Sequence, residues 1–260
     1  MKALLISGVL TYALIVLAAC GLQRSMMYFP GGTLPPVPAA FGTRTVTTAD
    51  GLTLTGWYAP PAAPEWPVIL YFQGNGGNIA GRIFKVRPFV EAGYGVLLAG
   101  YRGYGGNPGS PTETGLYADA RAWMDSLGEA PVVLLGESLG SGVAVRLASE
   151  RAVRGVMLEA PYSSAVDVGQ ASFWFLPVRA LMLDRFPSID VIDRIEAPLL
   201  VVHGERDRVI PIRFGRRLFA AAVEPKKMVV YPRAGHNNLV EHGLIEEELR
   251  FLAGLGETGQ

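Results

Sequence analysis

Apolar residues follow three different patterns along the chain. Residues 3–19 (ALLISGVLTYALIVLAA) are apolar all round, interrupted only by Ser7, Gly8 and Thr11. Short runs at 67–72 (PVILYF), 94–99 (YGVLLA), 131–136 (PVVLLG), 154–159 (RGVMLE), 198–203 (PLLVVH) and 227–231 (KMVVY) are nearly continuous in apolar residues. Strands covered on both faces have this pattern. Residues 43–48 and 52–58 add two strands joined by a turn at Asp50-Gly51. Helical patterns separate the strands at 78–92, 110–127, 139–150, 212–222 and 239–252. Ser110, Pro111 and Glu113 read as an N-cap, a first-turn proline and an N3 acid. A hairpin followed by strand–helix alternation predicts an eight-stranded, mostly parallel sheet with helices on both faces. The stretch 159–198 is long for one crossover and predicts a helix with a small cap insertion after the sixth strand, 154–159.

The first pattern bears on location. Seventeen apolar residues at 1.5 Å rise are at the short edge of a bilayer span and near the size of a signal peptide's apolar core. Leu17-Ala18-Ala19-Cys20 resembles a bacterial lipoprotein cleavage site, which would make Cys20 the lipid-bearing first residue. An uncleaved single-pass anchor extended through Gly21-Leu22 is the other reading. Both tether the protein to a membrane of the cell envelope. Residues 25–41 are proline-rich and without period. The expected organisation is therefore a signal or anchor over 1–19, a linker over 20–41 and one α/β domain over 42–260.

Composition narrows the function classes. The chain has 260 residues, 23 Lys+Arg against 23 Asp+Glu, and 50% hydrophobic residues. That is too apolar for a disordered chain and lacks the cationic surplus of a nucleic-acid binder. One cysteine excludes an internal disulfide and a multi-thiolate zinc site. No H-E-x-x-H and no G-x-x-x-x-G-K-[ST] occurs, and the glycine loops at 74–78, 103–106 and 136–142 do not read G-x-G-x-x-G, so neither a catalytic metal nor a cofactor is inferred.

Gly136-Glu137-Ser138-Leu139-Gly140 fits G-x-S-x-G, with a predicted strand running in and a predicted helix running out. Such a turn strains the serine, and glycines two residues either side relieve the collision. Ser138 is the candidate nucleophile and needs a base. Of three histidines, His203 ends a predicted strand and His242 falls in the last predicted helix. His236 lies on a loop after the last strand, at the sheet edge where the serine turn opens, and is the candidate base. Asp207, four residues past the strand 198–203, is the candidate acid that orients the imidazole, with Glu159 and Glu205 as rivals. Oxyanion donors are expected from the main-chain amides of Leu139 and of Asn75, the latter in the glycine loop after 67–72. Residues 173–177 (FWFLP) and 181–183 (LML) either line an apolar pocket over Ser138 or pack a helix on the sheet. Helical spacing favours packing.

Together these motifs resemble the α/β-hydrolase superfamily. The likeness extends to a membrane-anchored subgroup of bacteria and eukaryotes that includes protein depalmitoylases and lysophospholipid lipases. It rests on residues 24–30 (RSMMYFP), 74–78 (GNGGN), 101–105 (YRGYG), 136–140, His203-Gly204 with Asp207 and Ile210-Pro211, and Gly235-His236. The resemblance implies a serine hydrolase of esters or thioesters with Ser138, Asp207 and His236 in the triad positions. It implies Leu139 and Asn75 in the oxyanion positions and a small-molecule or acylated substrate. An aminopeptidase-like enzyme is the alternative, with Glu159, Asp167 and Asp184 as nominal amine binders. A tethered non-catalytic binding module is a third reading. Two departures stand out: Gln73 replaces a frequent histidine, and Gly100 replaces a frequent aspartate, which implies a missing internal partner for Arg102.

Overall fold

A computed structural model describes residues 1–257. The last three residues of the domain expected over 42–260 lie outside the described residues. In chain order the elements are α1 (Lys2–Met27), β1 (Phe29–Pro30), β2 (Gly42–Thr47), β3 (Thr53–Ala59), β4 (Val68–Phe72) and β5 (Gly76–Gly77). There follow α2 (Ile83–Glu91), β6 (Gly95–Leu98), α3 (Glu113–Asp125), β7 (Val132–Glu137), α4 (Leu139–Ala148) and β8 (Gly155–Glu159). The rest are α5 (Ala165–Ser172), α6 (Val178–Leu181), β9 (Leu199–Gly204), α7 (Ile212–Ala221), β10 (Lys226–Tyr231) and α8 (Leu244–Glu257).

Eight strands form one sheet in the order β10-β9-β8-β7-β4-β6-β3-β2, with β2 and β3 antiparallel additions to a parallel body. The expected sheet is thus observed. The central strands are buried along their whole length because both faces are covered. Alternate residues feed two cores, as a period of two requires. Val68, Leu70, Phe72 and Leu134 pack with Leu116, Trp123, Val143 and Leu218 of α3, α4 and α7. Ile69, Tyr71, Val133 and Leu135 pack with Val86, Phe89, Leu244 and Leu252 of α2 and α8.

Element ends differ from expectation where local chemistry decides. The helix α3 starts at Glu113, two residues late, because Thr112 and not Ser110 is the N-cap, its hydroxyl accepting from the Gly115 amide. The pattern 78–92 divides into a 3₁₀ turn, Ile79–Arg82, and α2. The pattern 239–252 breaks at Gly243, whose φ of 95° ends a 3₁₀ turn before α8 begins. The insertion after β8 holds α5, α6 and two 3₁₀ turns.

The stretch expected as a linker over 20–41 is not free chain at its start. Residues 20–27 complete α1, and Phe29–Pro30 pairs in parallel with Gly76–Gly77. Tyr28 between them is buried. Arg102 is also not without a partner. It binds Asp119 and Asp50 through its guanidinium, and Asp119 accepts its amide as well. No side chain fits at Gly100: a Cβ there would meet the Thr55 carbonyl oxygen at 1.9 Å. The Asn107 amide occupies that space, bonded to Thr55 on both its main-chain groups.

Candidate active site

Ser138 follows β7 directly and heads α4, with φ 51° and ψ −114°. The turn is forced by close packing on both sides. A Cβ on Gly136 would meet Gly140 O at 2.6 Å, and one on Gly140 would meet Phe72 O at 2.1 Å. The Ser138 amide donates to Glu159 O at 2.9 Å, and Ser141 Oγ donates to Ser138 O at 2.6 Å. The strained residue is therefore held from both flanks.

Parallel strands bring three separate loops to one edge. Asp207 lies just past β9 and His236 just past β10. His236 Nε2 is 3.0 Å from Ser138 Oγ, and its Nδ1 is 2.7 Å from Asp207 Oδ2. An ionised carboxylate only accepts, so Nδ1 carries the proton and Nε2 is left to accept from the serine hydroxyl. Asp207 Oδ1 accepts from the amides of Val209 and Ile210 at 2.8 and 2.7 Å. Burial opposes its charge, but bonds from His203, His236 and these amides outweigh that and hold its carboxyl well below the usual range.

His203, set aside as a base in the sequence, sits fully buried behind Asp207. Its Nε2 bonds Ile210 O at 2.9 Å and is 3.4 Å from Asp207 Oδ2. The sequence signal for this was only its position at a strand end four residues before Asp207. His242 stacks on Tyr231, and Glu205 pairs with Arg216 at the surface. Glu159 binds Lys85, and the carboxylate on the imidazole is that of Asp207. Asp167 is committed to Arg179 and Arg217, and Asp184 to Arg24 and the Glu113 amide. The three carboxylates considered for binding a substrate amine are thus all engaged.

Asn75 and Leu139 border the same cavity as Ser138. Neither main-chain amide has an acceptor among the described residues. Leu139 is the first residue of α4, where amides point outward and the helix end favours negative charge. The Asn75 peptide is fixed by its neighbours: its carbonyl accepts from the Phe29 amide and Tyr104 hydroxyl, and its side chain donates to Met27 O. The bridge between β1 and β5 therefore aligns this loop.

The cavity has a volume of 290 Å³ and an apolar lining. Its walls come from α5, α6, the segment between them and the last turns of α1. Phe173, Leu176, Pro177, Leu181 and Met182 line it, whereas Trp174, Phe175 and Leu183 face outward. Packing on the sheet, favoured by the spacing, is thus not what most of these side chains do. Cys20 lies inside the unbroken α1, on the side of the cavity. Beneath the serine turn is a second polar cluster that the sequence did not disclose. Glu137 binds Arg82 at 2.7 Å and accepts from the Tyr71 hydroxyl, while Lys85 bridges Glu159 and Glu137.

A family model described as alpha/beta hydrolase fold matches residues 67–188. The uncharacterized protein Rv2307c of Mycobacterium tuberculosis is 39% identical over 271 residues, 95% of this chain and 96% of its own length. The lysophosphatidylserine lipase ABHD12 of Danio rerio is 31% identical over 196 residues, 66% of this chain and 51% of its own length. Among solved structures, the Pyrococcus furiosus esterase Pf2001 superposes with a TM-score of 0.72 at 18% identity, covering 89% of this chain and 99% of that one. Fold, turn geometry and kinship agree, and the chain belongs to the α/β-hydrolase family.

Proposed function

We propose that this hydrolase cleaves carboxylic esters or thioesters of acyl or lipid substrates through a covalent acyl-enzyme on Ser138. The observation that carries the reading is the hydrogen-bonded line Ser138–His236–Asp207, opening on an apolar cavity. Ser138 Oγ attacks the acyl carbon while His236 Nε2 takes its proton. The oxyanion that forms is met by the amides of Leu139 and Asn75. His236 then gives its proton to the leaving alcohol or thiol, and water releases the acid by the same path. Asp207 keeps the ring in the right tautomer and supports its transient charge. The kinship with a lysophosphatidylserine lipase and an esterase supports an ester bond and an acyl substrate.

The protein is proposed to be held at a membrane of the cell envelope by its N-terminus. The helix α1 contains an 18-residue window of mean hydropathy 2.4. The tether is either α1 itself or a lipid on Cys20.

The test is labelling of the purified protein with a fluorophosphonate, followed by a panel of esters, thioesters and aminoacyl amides. Wild type is expected to label and to hydrolyse esters. Ser138→Ala is expected to do neither. Ester turnover by Ser138→Ala near the wild-type rate would end the proposal.

A further inference from the structure

The helix α1 takes part in the cavity itself. Val16, Ala19, Cys20, Gln23, Met26 and Met27 all border the space that Ser138 and Leu139 border. Their spacing places them on one stripe of a helix. Within Lys2–Met27, partial burial falls only on members of that stripe: Val16, Ala19, Cys20, Gln23 and Met27. The facing wall is α5, α6 and the segment between them. Polar contacts spread along α1 fix the two walls in register. Tyr12 donates to Phe175 O at 2.8 Å, Gln23 accepts from the Leu183 amide at 2.8 Å, and Arg24 binds Asp184 at 2.8 Å.

The cavity lies beside the apolar length of α1. The apolar run reaches Leu22, and a bilayer's hydrocarbon core takes about 20 such residues. Val16 to Leu22 therefore fall within the stretch that a bilayer would cover. Phe175 is tied to Tyr12, about 15 Å before Leu22 along the helix axis. Trp174, Phe175, Leu181 and Leu183 on the cap are exposed next to this stretch, Trp174 at 79%. Aromatic and aliphatic side chains bare to solvent here are satisfied where lipid replaces water.

We infer that α1 stays on the mature protein as one wall of the acyl site, and that the substrate is a membrane-resident amphiphile. One acyl chain of that amphiphile passes from the bilayer between α1 and the cap, bringing its carbonyl to Ser138. This rests on the hydrolase reading above. A volume of 290 Å³ is at the small end for ligand pockets and suits one chain rather than two. Cleavage before Cys20 would remove Val16 and Ala19 and open that wall to water.

The test uses full-length protein in nonionic detergent, with nitrophenyl acetate and nitrophenyl dodecanoate as substrates. Ala19→Trp fills the cavity from α1, whereas Ala18→Trp puts the same side chain one residue round the helix, off the stripe. Ala19→Trp is expected to lower the dodecanoate-to-acetate ratio of kcat/KM about tenfold or more. Ala18→Trp is expected to keep the wild-type ratio. Should Ala19→Trp fail to label with the fluorophosphonate, Val16→Phe makes the same test with a smaller change. A labelled wall variant with the wild-type ratio would overturn the inference and leave the hydrolase reading standing. Absent labelling and turnover in wild type would remove both. Intact mass of protein extracted from membranes is expected to retain residues 1–19. A lipid-bearing chain beginning at Cys20 with the full chain-length profile would also overturn it.

Discussion

Below Ser138 the molecule is ionic and enclosed; above it, it is apolar and partly bare. Beneath the turn, Arg82, Lys85, Glu137, Glu159 and Tyr71 bind one another among buried strand ends. Above it, Leu176, Met182 and the α1 stripe form apolar walls. Under the proposed function the difference separates two tasks. A reacting hydroxyl must be held within a few tenths of an ångström, which strands and directional bonds achieve. An acyl chain needs only apolar surface of the right width, which side chains on short helices supply.

Predictions that probe this contrast run from large to small. If Ser138, His236 and Asp207 work as the proposed triad, loss of Ser138 or His236 is expected to lower kcat by up to about a millionfold, as residues that act as a unit do. Asp207→Asn keeps the contact but favours the wrong tautomer, and the expected loss is about ten-thousandfold. Steady-state kinetics on a nitrophenyl ester check both. A floor built on the sheet also predicts stability effects away from the site. Asp119→Ala removes the buried one of Arg102's two carboxylate partners, leaving Asp50, and is expected to cost about 1–3 kcal/mol in urea unfolding.

Changes to the roof are expected to act on selectivity. Leu176→Ala should raise KM, with a loss that grows with acyl-chain length and reaches about tenfold for long chains. An equal loss for acetate and dodecanoate would count against the division of tasks. A pH-dependent effect on stability is expected at Glu248, which lies under the ionic cluster with both oxygens buried. Burial, then the charge of Glu159, push its carboxyl well above the usual range. The unfolded chain gives up this proton near the ordinary carboxylate pKa while the folded chain keeps it. Its contribution is therefore full at low pH and is lost as pH rises towards the folded value. Glu248→Gln removes that loss. Its thermal midpoint relative to wild type is expected to climb from about pH 5 to about pH 8. A gap that is flat with pH would show that Glu248 ionises normally.

Much of the fold could be read in advance. The runs at 67–72, 131–136, 154–159 and 198–203 match β4, β7, β8 and β9 within a residue or so at each end, because burial on both faces leaves a continuous apolar mark. Helix ends were harder. Thr112 and Ser110 are both good caps, and the one whose hydroxyl reaches an open amide decides. At the site, Ser138, Asp207 and His236 stand out because few residues of the right type fall on loops at one sheet edge. His203 does not stand out, since its role depends on what lies behind Asp207 in space.

The sequence by itself determined the succession of apolar runs that become strands, the strained serine turn between glycines, and the long apolar N-terminal segment. These are local properties, set by side-chain period and backbone sterics over a few residues. Only the tertiary structure decided that Asp119 and Asp50 serve Arg102, that Asn107 fills the space at Gly100, and that Lys85 lies under the serine turn. It also decided that α1 turns one stripe toward Ser138's cavity. Each of these joins residues far apart in the chain. No local pattern encodes such a meeting, because it is fixed by how the sheet twists and how its helices pack.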